Sequence, residues 1–243
     1  MKLGKPINID PARARSGVRN RIHRVGIELE GGWERLPSGA SLVGDSSVRI
    51  PEAQTNPNIR TGELPSPPRD ISTWREWVTT HYPPYVNDTC GMHVHMSFFN
   101  ALTYQRLMTP SYAATIVEEF KKWAKRESLP SSHPIWSRLA DKSPYCRHLF
   151  HADDQVTRRE KDHSQTRPGH RYTIINYCYG RYNTLECRLL PMMATPDLAI
   201  RAIQELIDIT NAFLVTSPKK EKREIVEVPL DTTSIREESR INA

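Results

Sequence analysis

Polar and apolar residues alternate most regularly over residues 90–98, where His93, His95 and Ser97 take every second position and Val94, Met96 and Phe98 lie between them. A period of two predicts a half-buried strand, with the apolar trio turned to a core and the polar trio to the opposite face. Residues 23–31 repeat the design: Val25, Ile27 and Leu29 alternate with Gly26, Glu28 and Glu30. So do residues 183–190, where Leu185, Cys187 and Leu189 alternate with Thr184, Glu186 and Arg188. This run and the β-rich residues 171–179 are separated by Gly180 and Arg181, which predicts a hairpin. Glu63 sits in a short segment stopped by Pro65, Pro67 and Pro68, which predicts an edge or strand-end position.

Helical spacing governs the rest. Trp74, Trp77, Val78 and His81 recur at three and four residues before Pro83 and Pro84, predicting a short helix with its tryptophans in the core. Thr103 can cap a turn through Met108, and Ser111 opens a longer helix with Ile116, Val117, Phe120 and Ala124 inside. Glu118, Glu119, Lys121 and Lys122 read as its solvated face. Thr195, Pro196 and Asp197 form a strong helix start, and the apolar period then runs through Phe213 to Ser217. Outside these runs, residues 1–20 read as a basic arm and 218–243 as a charged tail, leaving 21–217 as the folded domain. Within it, residues 131–170 lose all periodicity and carry five histidines, which predicts a polar loop or lid.

Composition narrows the picture only a little. With 243 residues the chain is long enough for one domain with a real core. Its formal charge of +6 suits an anionic ligand such as a nucleotide, and equally a nucleic-acid partner. Four cysteines form no C-x-x-C pair and no long apolar span is present, so a reducing, cytoplasmic setting without a membrane is expected. Cys178 and Cys187 fall on neighbouring strands, with no indication of a disulfide. Cys146, His148 and His151 lack a fourth ligand at a zinc-site spacing.

Three strands thus each present a polar pair: Glu28 and Glu30, His93 and His95, Glu186 and Arg188. Taken alone, the glutamates can be solvent-facing strand residues, and Glu186 with Arg188 a surface ion pair. Asp45 and Ser47 can cap a turn or meet a substrate. Taken together, the carboxylates and imidazole suit a divalent cation, and the guanidinium suits phosphate oxygens. That combination predicts a metal–nucleotide site on the open face of an antiparallel sheet.

At these residues the chain resembles a known group. The run from Gly91 to Ser97 is similar to the G-M-H-x-H-x-S strand of glutamine synthetases. The ordered motifs G-x-E-x-E (Gly26 to Glu30), D-x-S (Asp45 to Ser47) and G-E-x-x-S-P (Gly62 to Pro67) resemble those of the amidoligases. So do H-x-H-x-S (His93 to Ser97), R-Y followed by Asn (Arg171 to Asn176) and T-x-E-x-R (Thr184 to Arg188). Amidoligases share the carboxylate–amine ligase superfamily with glutamine synthetases and glutamate–cysteine ligases. Together the motifs span nearly everything but the two ends. Ser46 and Pro65 depart from the pattern, which usually has a small residue there, typically glycine in the D-G-S.

The resemblance implies an α+β, glutamine-synthetase-like catalytic domain, with helices packed on one face of a curved, mostly antiparallel sheet. It implies ATP with Mg2+ or Mn2+, the cations held by Glu28, Glu30, Glu63, His93 and Glu186. It places His95 and Ser97 near the phosphates, with Arg181 beside them as a nucleotide contact. Arg171 and Arg188, with Glu63, are implied to serve the phosphoryl transfer. The implied reaction joins a carboxylate, free or carried on a macromolecule, to an amine through an acyl phosphate. Two other readings remain open: a guanidino-kinase-like phosphotransferase, and a basic nucleic-acid-binding protein without catalysis. Family members differ in oligomeric state, which the sequence leaves open.

Overall fold

The structure is a computed structural model, described for residues 3–11, 21–99, 101–148, 172–178 and 184–216. In chain order the elements are β1 (Ile22–Trp33), α1 (Glu52–Thr55), β2 (Arg60–Pro65), β3 (Arg69–Asp70), α2 (Trp74–His81) and β4 (Gly91–Phe98). There follow α3 (Ala101–Leu107), α4 (Pro110–Arg126), α5 (Ile135–Leu139), β5 (Ile175–Cys178), β6 (Thr184–Pro191) and α6 (Pro196–Thr216).

The fold is mixed α and β, around one open sheet of order β2–β1–β4–β6–β5, with β3 continuing the β2 edge of β1. Every pairing between these strands is antiparallel. Alternation decides which face is dry: Val25, Ile27, Leu29, Met92, Val94, Met96, Leu185 and Cys187 are all fully buried. Each such side chain taken from water contributes roughly 1.5–3 kcal/mol, so the register of three strands is fixed from the apolar side. Helix α6 packs over that face, with Thr210 Oγ1 3.6 Å from Met96 Sδ and 2.7 Å from the Tyr112 hydroxyl of α4. Trp74, Trp77 and Val78 of α2 are buried in the same core, where the spacing places them.

Caps set the helix starts. Thr195 Oγ1 accepts from the Leu198 amide at the head of α6. In α4 the cap is Thr109, which accepts from the Tyr112 amide, and Pro110 takes the first turn, so this helix begins a residue earlier than Ser111. Glu119 is buried on α4 and holds Lys122 at 2.7 Å, so only part of the charged run is a solvated face.

Two expectations need correction. Residues 3–11 of the basic arm are docked: the Gly4 amide donates to Pro110 O, the Ile7 amide to Thr115 Oγ1, and Ile9 is buried. Two isoleucines at a spacing of two were too short a pattern to reveal this. Residues 131–148 are not a structureless connection, because α5 lies among them with Ile135 and Leu139 buried. The rest of the proposed lid, 149–171, and the tail fall outside the described residues. All four cysteines are free and buried, Cys178 and Cys187 among them. No helix among the described residues is long and apolar enough to cross a membrane.

Candidate metal centre

The polar face of the sheet converges on His93, which is 2% exposed. Register explains the convergence. Glu28 of β1 stands directly opposite His93 of β4, and Glu30, two residues along, stands opposite Glu63 of β2. On the other side His95 stands opposite Glu186 of β6. One imidazole therefore meets carboxylates from both flanks. His93 Nδ1 lies 3.2 Å from Glu28 Oε2 and 3.7 Å from Glu186 Oε1, while Nε2 lies 3.4 Å from Glu30 Oε1. His95 Nε2 approaches Glu28 Oε1 at 3.2 Å, and its Nδ1 is 3.0 Å from Thr184 Oγ1. Opposite His95 stands Gly26, where a Cβ would make only ordinary contact with His95 Cβ at 3.4 Å.

Glu186 is the most tightly held of the acids. Arg188 Nη1 donates to its Oε1 at 2.6 Å, and Asn176 Nδ2 of β5 donates to its Oε2 at 2.9 Å. Thr173 Oγ1 in turn donates to Asn176 Oδ1 at 2.6 Å, and the Cys178 thiol lies 3.8 Å from Glu186 Oε2. All of these residues are buried. The register of β4 on β6 shifts here, from Met92 opposite Leu190 to Val94 opposite Cys187. Strand β6 thus has one residue too many opposite His93, which is a β-bulge.

Two overlapping groups of ligand atoms result, Glu28–His93–Glu186 and Glu30–Glu63–His93, each with its atoms within 4.8 Å of one another. Either can hold a metal ion, with the carboxylates offering the oxygen ligands that magnesium or manganese takes. Sequence-predicted Glu28, Glu30, Glu63, His93 and Glu186 are therefore brought together, with His95 and Arg188 in contact with them. Ser97 stands apart from the cluster on the same strand, its hydroxyl 3.5 Å from Arg24 O. Arg171 and Arg181 lie outside the described residues.

Charge is unevenly satisfied across the cluster. Burial would raise the Glu28 carboxyl, but hydrogen bonds and charge from His93 and His95 hold it well below the usual carboxylate range. Burial acts on Glu186 too, and the Arg188 guanidinium, His95 and His93 outweigh it and pull that carboxyl down. His95 is pushed the other way: burial disfavours its charged form, yet Glu28 and Glu186 raise it above an ordinary histidine. Glu63 has no such partner. Burial and the neighbouring charges of Glu28, Glu30 and Asp45 push it up to about 8. Near neutral pH it holds a proton, shared in a hydrogen bond with Asp45. A site that cannot keep all its carboxylates ionised gains by taking up a cation.

Asp45 reaches this place through its loop. Val43 and Glu63 exchange both backbone hydrogen bonds, at 2.8 and 2.9 Å, and the Ser47 amide donates to Asp45 Oδ1 at 2.7 Å. Asp45 therefore caps the turn and also meets the cluster. Gly62 permits the docking: its φ is +154°, and a Cβ there would lie 2.4 Å from Val43 O.

The residue that sequence patterning missed is Arg138 of α5, one of the largest buried side chains among the described residues at 2% exposure. No motif contains it, and an arginine between Ile135 and Leu139 reads as an ordinary helix surface. No protein-family model matches the chain, and no curated protein and no solved structure matches it.

Proposed function

We propose that the chain is an ATP-dependent carboxylate–amine ligase of the amidoligase type, on a glutamine-synthetase-like catalytic fold, using Mg2+ or Mn2+ at the Glu–His face. The observation that carries this reading is the convergence on His93 of four carboxylates from three strands, with the Arg188 guanidinium 2.6 Å from one of them. Two overlapping cation-sized groups, with the Glu63 carboxyl pushed up beside them, support the same reading. The antiparallel sheet with helices over its apolar face also agrees with that fold.

The chemistry follows from charge. A substrate carboxylate must attack a triphosphate that repels it. Bound cations supply the neutralisation that brings the two together. Glu28, Glu30, Glu63, His93 and Glu186 would hold them. Arg188 gives Nη1 to Glu186 and keeps Nε buried and without a partner among the described residues, so it has donors left for phosphoryl oxygens. His95 and Ser97 continue the line along β4, where the phosphates would lie. The carboxylate oxygen attacks the γ-phosphorus, the bond to the β-phosphate oxygen breaks and ADP leaves. The amine nitrogen then attacks the acyl carbon of the resulting acyl phosphate, loses a proton and expels inorganic phosphate. Positioning and electrostatics perform most of the work, since transferred charge is what must be stabilised.

The test is thermal stability with a non-hydrolysable ATP analogue, with and without magnesium, in wild type and Glu186→Ala. A ligand at a hundred times its dissociation constant adds ~2.7 kcal/mol to the native state. Stabilisation that requires both nucleotide and metal, and is lost in the variant, supports the site. No shift at millimolar nucleotide removes its main support. Product analysis then separates the chemistries, a stable phosphorylated guanidino compound identifying a phosphotransferase and an amide identifying a ligase.

A further inference from the structure

We infer that Arg138 is a positioning residue for this site: its guanidinium holds the bulge of β6 in the register that brings Glu186 and Arg188 beside His93. The inference rests on the ligase reading for its chemistry, but its geometry is independent. Nη1 of Arg138 donates to Arg188 O at 2.9 Å and to Leu190 O at 3.0 Å, and Nη2 reaches Cys90 O at 3.4 Å. The first two carbonyls flank Leu189 in the bulged stretch, and the third belongs to the residue that leads into β4.

A bulge leaves main-chain groups without ladder partners, and a buried carbonyl without a donor is costly. A planar fork holds acceptors on two strands in one rigid, widely spaced geometry, which the compact ammonium of a flexible lysine does not reproduce. The alternative for β6 is a one-residue slip to a regular ladder. That slip would turn Cys187 or Leu189 toward the ligands and take Glu186 and Arg188 away from them. Arg138 makes the slip unfavourable because only the bulged register presents its carbonyls together.

The other arm of the guanidinium lies beside the cluster, across Gly91 from two of its ligands. A Cβ on Gly91 would lie 3.3 Å from Arg138 Nη2, and 3.1 Å from both Glu30 Oε2 and His93 Nε2. Arg138 thus packs behind two ligands of one group while fixing the strand that carries a ligand of the other. Helix α5 is itself anchored, since His148 Nε2 lies 2.7 Å from Arg138 O and the His148 amide donates to Asp141 Oδ1 at 2.8 Å.

The experiment measures Mn2+ affinity by calorimetry, and the spectrum of bound Mn2+ by electron paramagnetic resonance, in wild type, Arg138→Lys, Arg138→Gln and Tyr112→Phe. Tyr112→Phe is the control: it removes a buried hydrogen bond to Thr210 on the helical side of the sheet. Both Arg138 variants should bind Mn2+ ~10–100-fold more weakly with a changed spectrum, as loss of a group supporting metal ligands does. Tyr112→Phe should lose stability and keep both affinity and spectrum. Lysine retains the charge without the fork and offers the better chance of a folded variant. A folded Arg138→Lys or Arg138→Gln with wild-type affinity and spectrum overturns the positioning role and leaves the ligase reading intact. A wild-type protein that binds no Mn2+ at millimolar concentration overturns both.

Discussion

Glu30 and Glu63 stand directly opposite each other on neighbouring antiparallel strands, with the same side of the sheet beneath both. Burial first, then the charge of Glu28, the hydrogen bond to Asp45 and the like charge of Glu30, push the Glu63 carboxyl up to about 8. The unfolded chain would release that proton near the ordinary value of 4.5. Between these two values the folded state binds more protons, so this group's contribution to stability is full below the lower one. It is lost as pH rises through the upper one. Metal-free protein should therefore lose on the order of 1–3 kcal/mol between pH 5 and pH 8.5 from this carboxyl, which is partly solvated. Urea midpoints in the presence of a chelator, compared with Glu63→Gln, isolate the effect. Removing the carboxyl should flatten the slope, and saturating Mg2+ should do so in wild type by displacing the proton. Parallel pH profiles for wild type and Glu63→Gln would refute it.

Glu186→Gln should separate stability from cation binding. Arg188 is buried and its ion pair with Glu186 measures 2.6 Å, so neutralising the acid strands a guanidinium in the sheet. Breaking a buried pair from one side costs about 3–5 kcal/mol. The amide keeps the volume and can still accept from Asn176, so the fold should survive at reduced denaturation midpoint. Mg2+-dependent stabilisation by nucleotide should vanish with it. Wild-type nucleotide stabilisation in a folded Glu186→Gln would remove this residue from the site.

Gly62→Ala tests the loop that carries Asp45. The new Cβ would fall 2.4 Å from Val43 O at a φ of +154°, and a main-chain carbonyl cannot yield as a flexible side chain does. Strain of this kind costs about 1–3 kcal/mol, so the Val43–Glu63 bridge should open instead. Asp45 would then withdraw from Glu63, and the Glu63 carboxyl should titrate lower than about 8. Carbon-detected NMR of the glutamate carboxyls reads the change. An unchanged Glu63 titration in a folded variant would show that the loop does not set it.

The polar face was legible in the sequence because its chemistry alternates with residues that can only be buried. Glu28 and Glu30 are fixed by Val25, Ile27 and Leu29, as His93 and His95 are by Val94 and Met96. Glu63 was likewise legible as an edge residue, since prolines stop β2 beside it. Alternation says nothing, however, of which strands are neighbours. The convergence on His93 is a matter of register between residues 65 positions apart, and the order of motifs hinted at it only through the family resemblance. The bulge in β6 was hidden for a related reason. Leu189 and Leu190 are both buried, and two consecutive leucines read equally well as the end of a regular strand. Arg138 was invisible because its partners are main-chain carbonyls, which every residue has.

Gly91 offers the sharpest separation of site from scaffold. It opens β4 on the ligand face, and its amide donates to Glu30 Oε2 in a very short hydrogen bond. Its backbone needs no glycine, since its φ is not in the left-handed region, so alanine brings no conformational strain. What alanine does bring is a methyl group 3.1 Å from Glu30 Oε2 and from His93 Nε2, closer than these atoms pack comfortably. These neighbours, and Arg138 Nη2 at 3.3 Å beyond them, are side-chain ends. A shift of a few tenths of an ångström, largest at the two closest, relieves the contact, so the protein should fold with only slightly reduced stability. The shift falls on a carboxylate and an imidazole that share the Glu30–Glu63–His93 group. Cation affinity at that group should drop ~10–100-fold, as misplacing ligands does. Binding at Glu28–His93–Glu186 should fall less, because only His93 is common to both. Two-site Mn2+ titration calorimetry of Gly91→Ala distinguishes the two groups. Equal weakening of both, or of neither, would show that they do not act as separate cation sites.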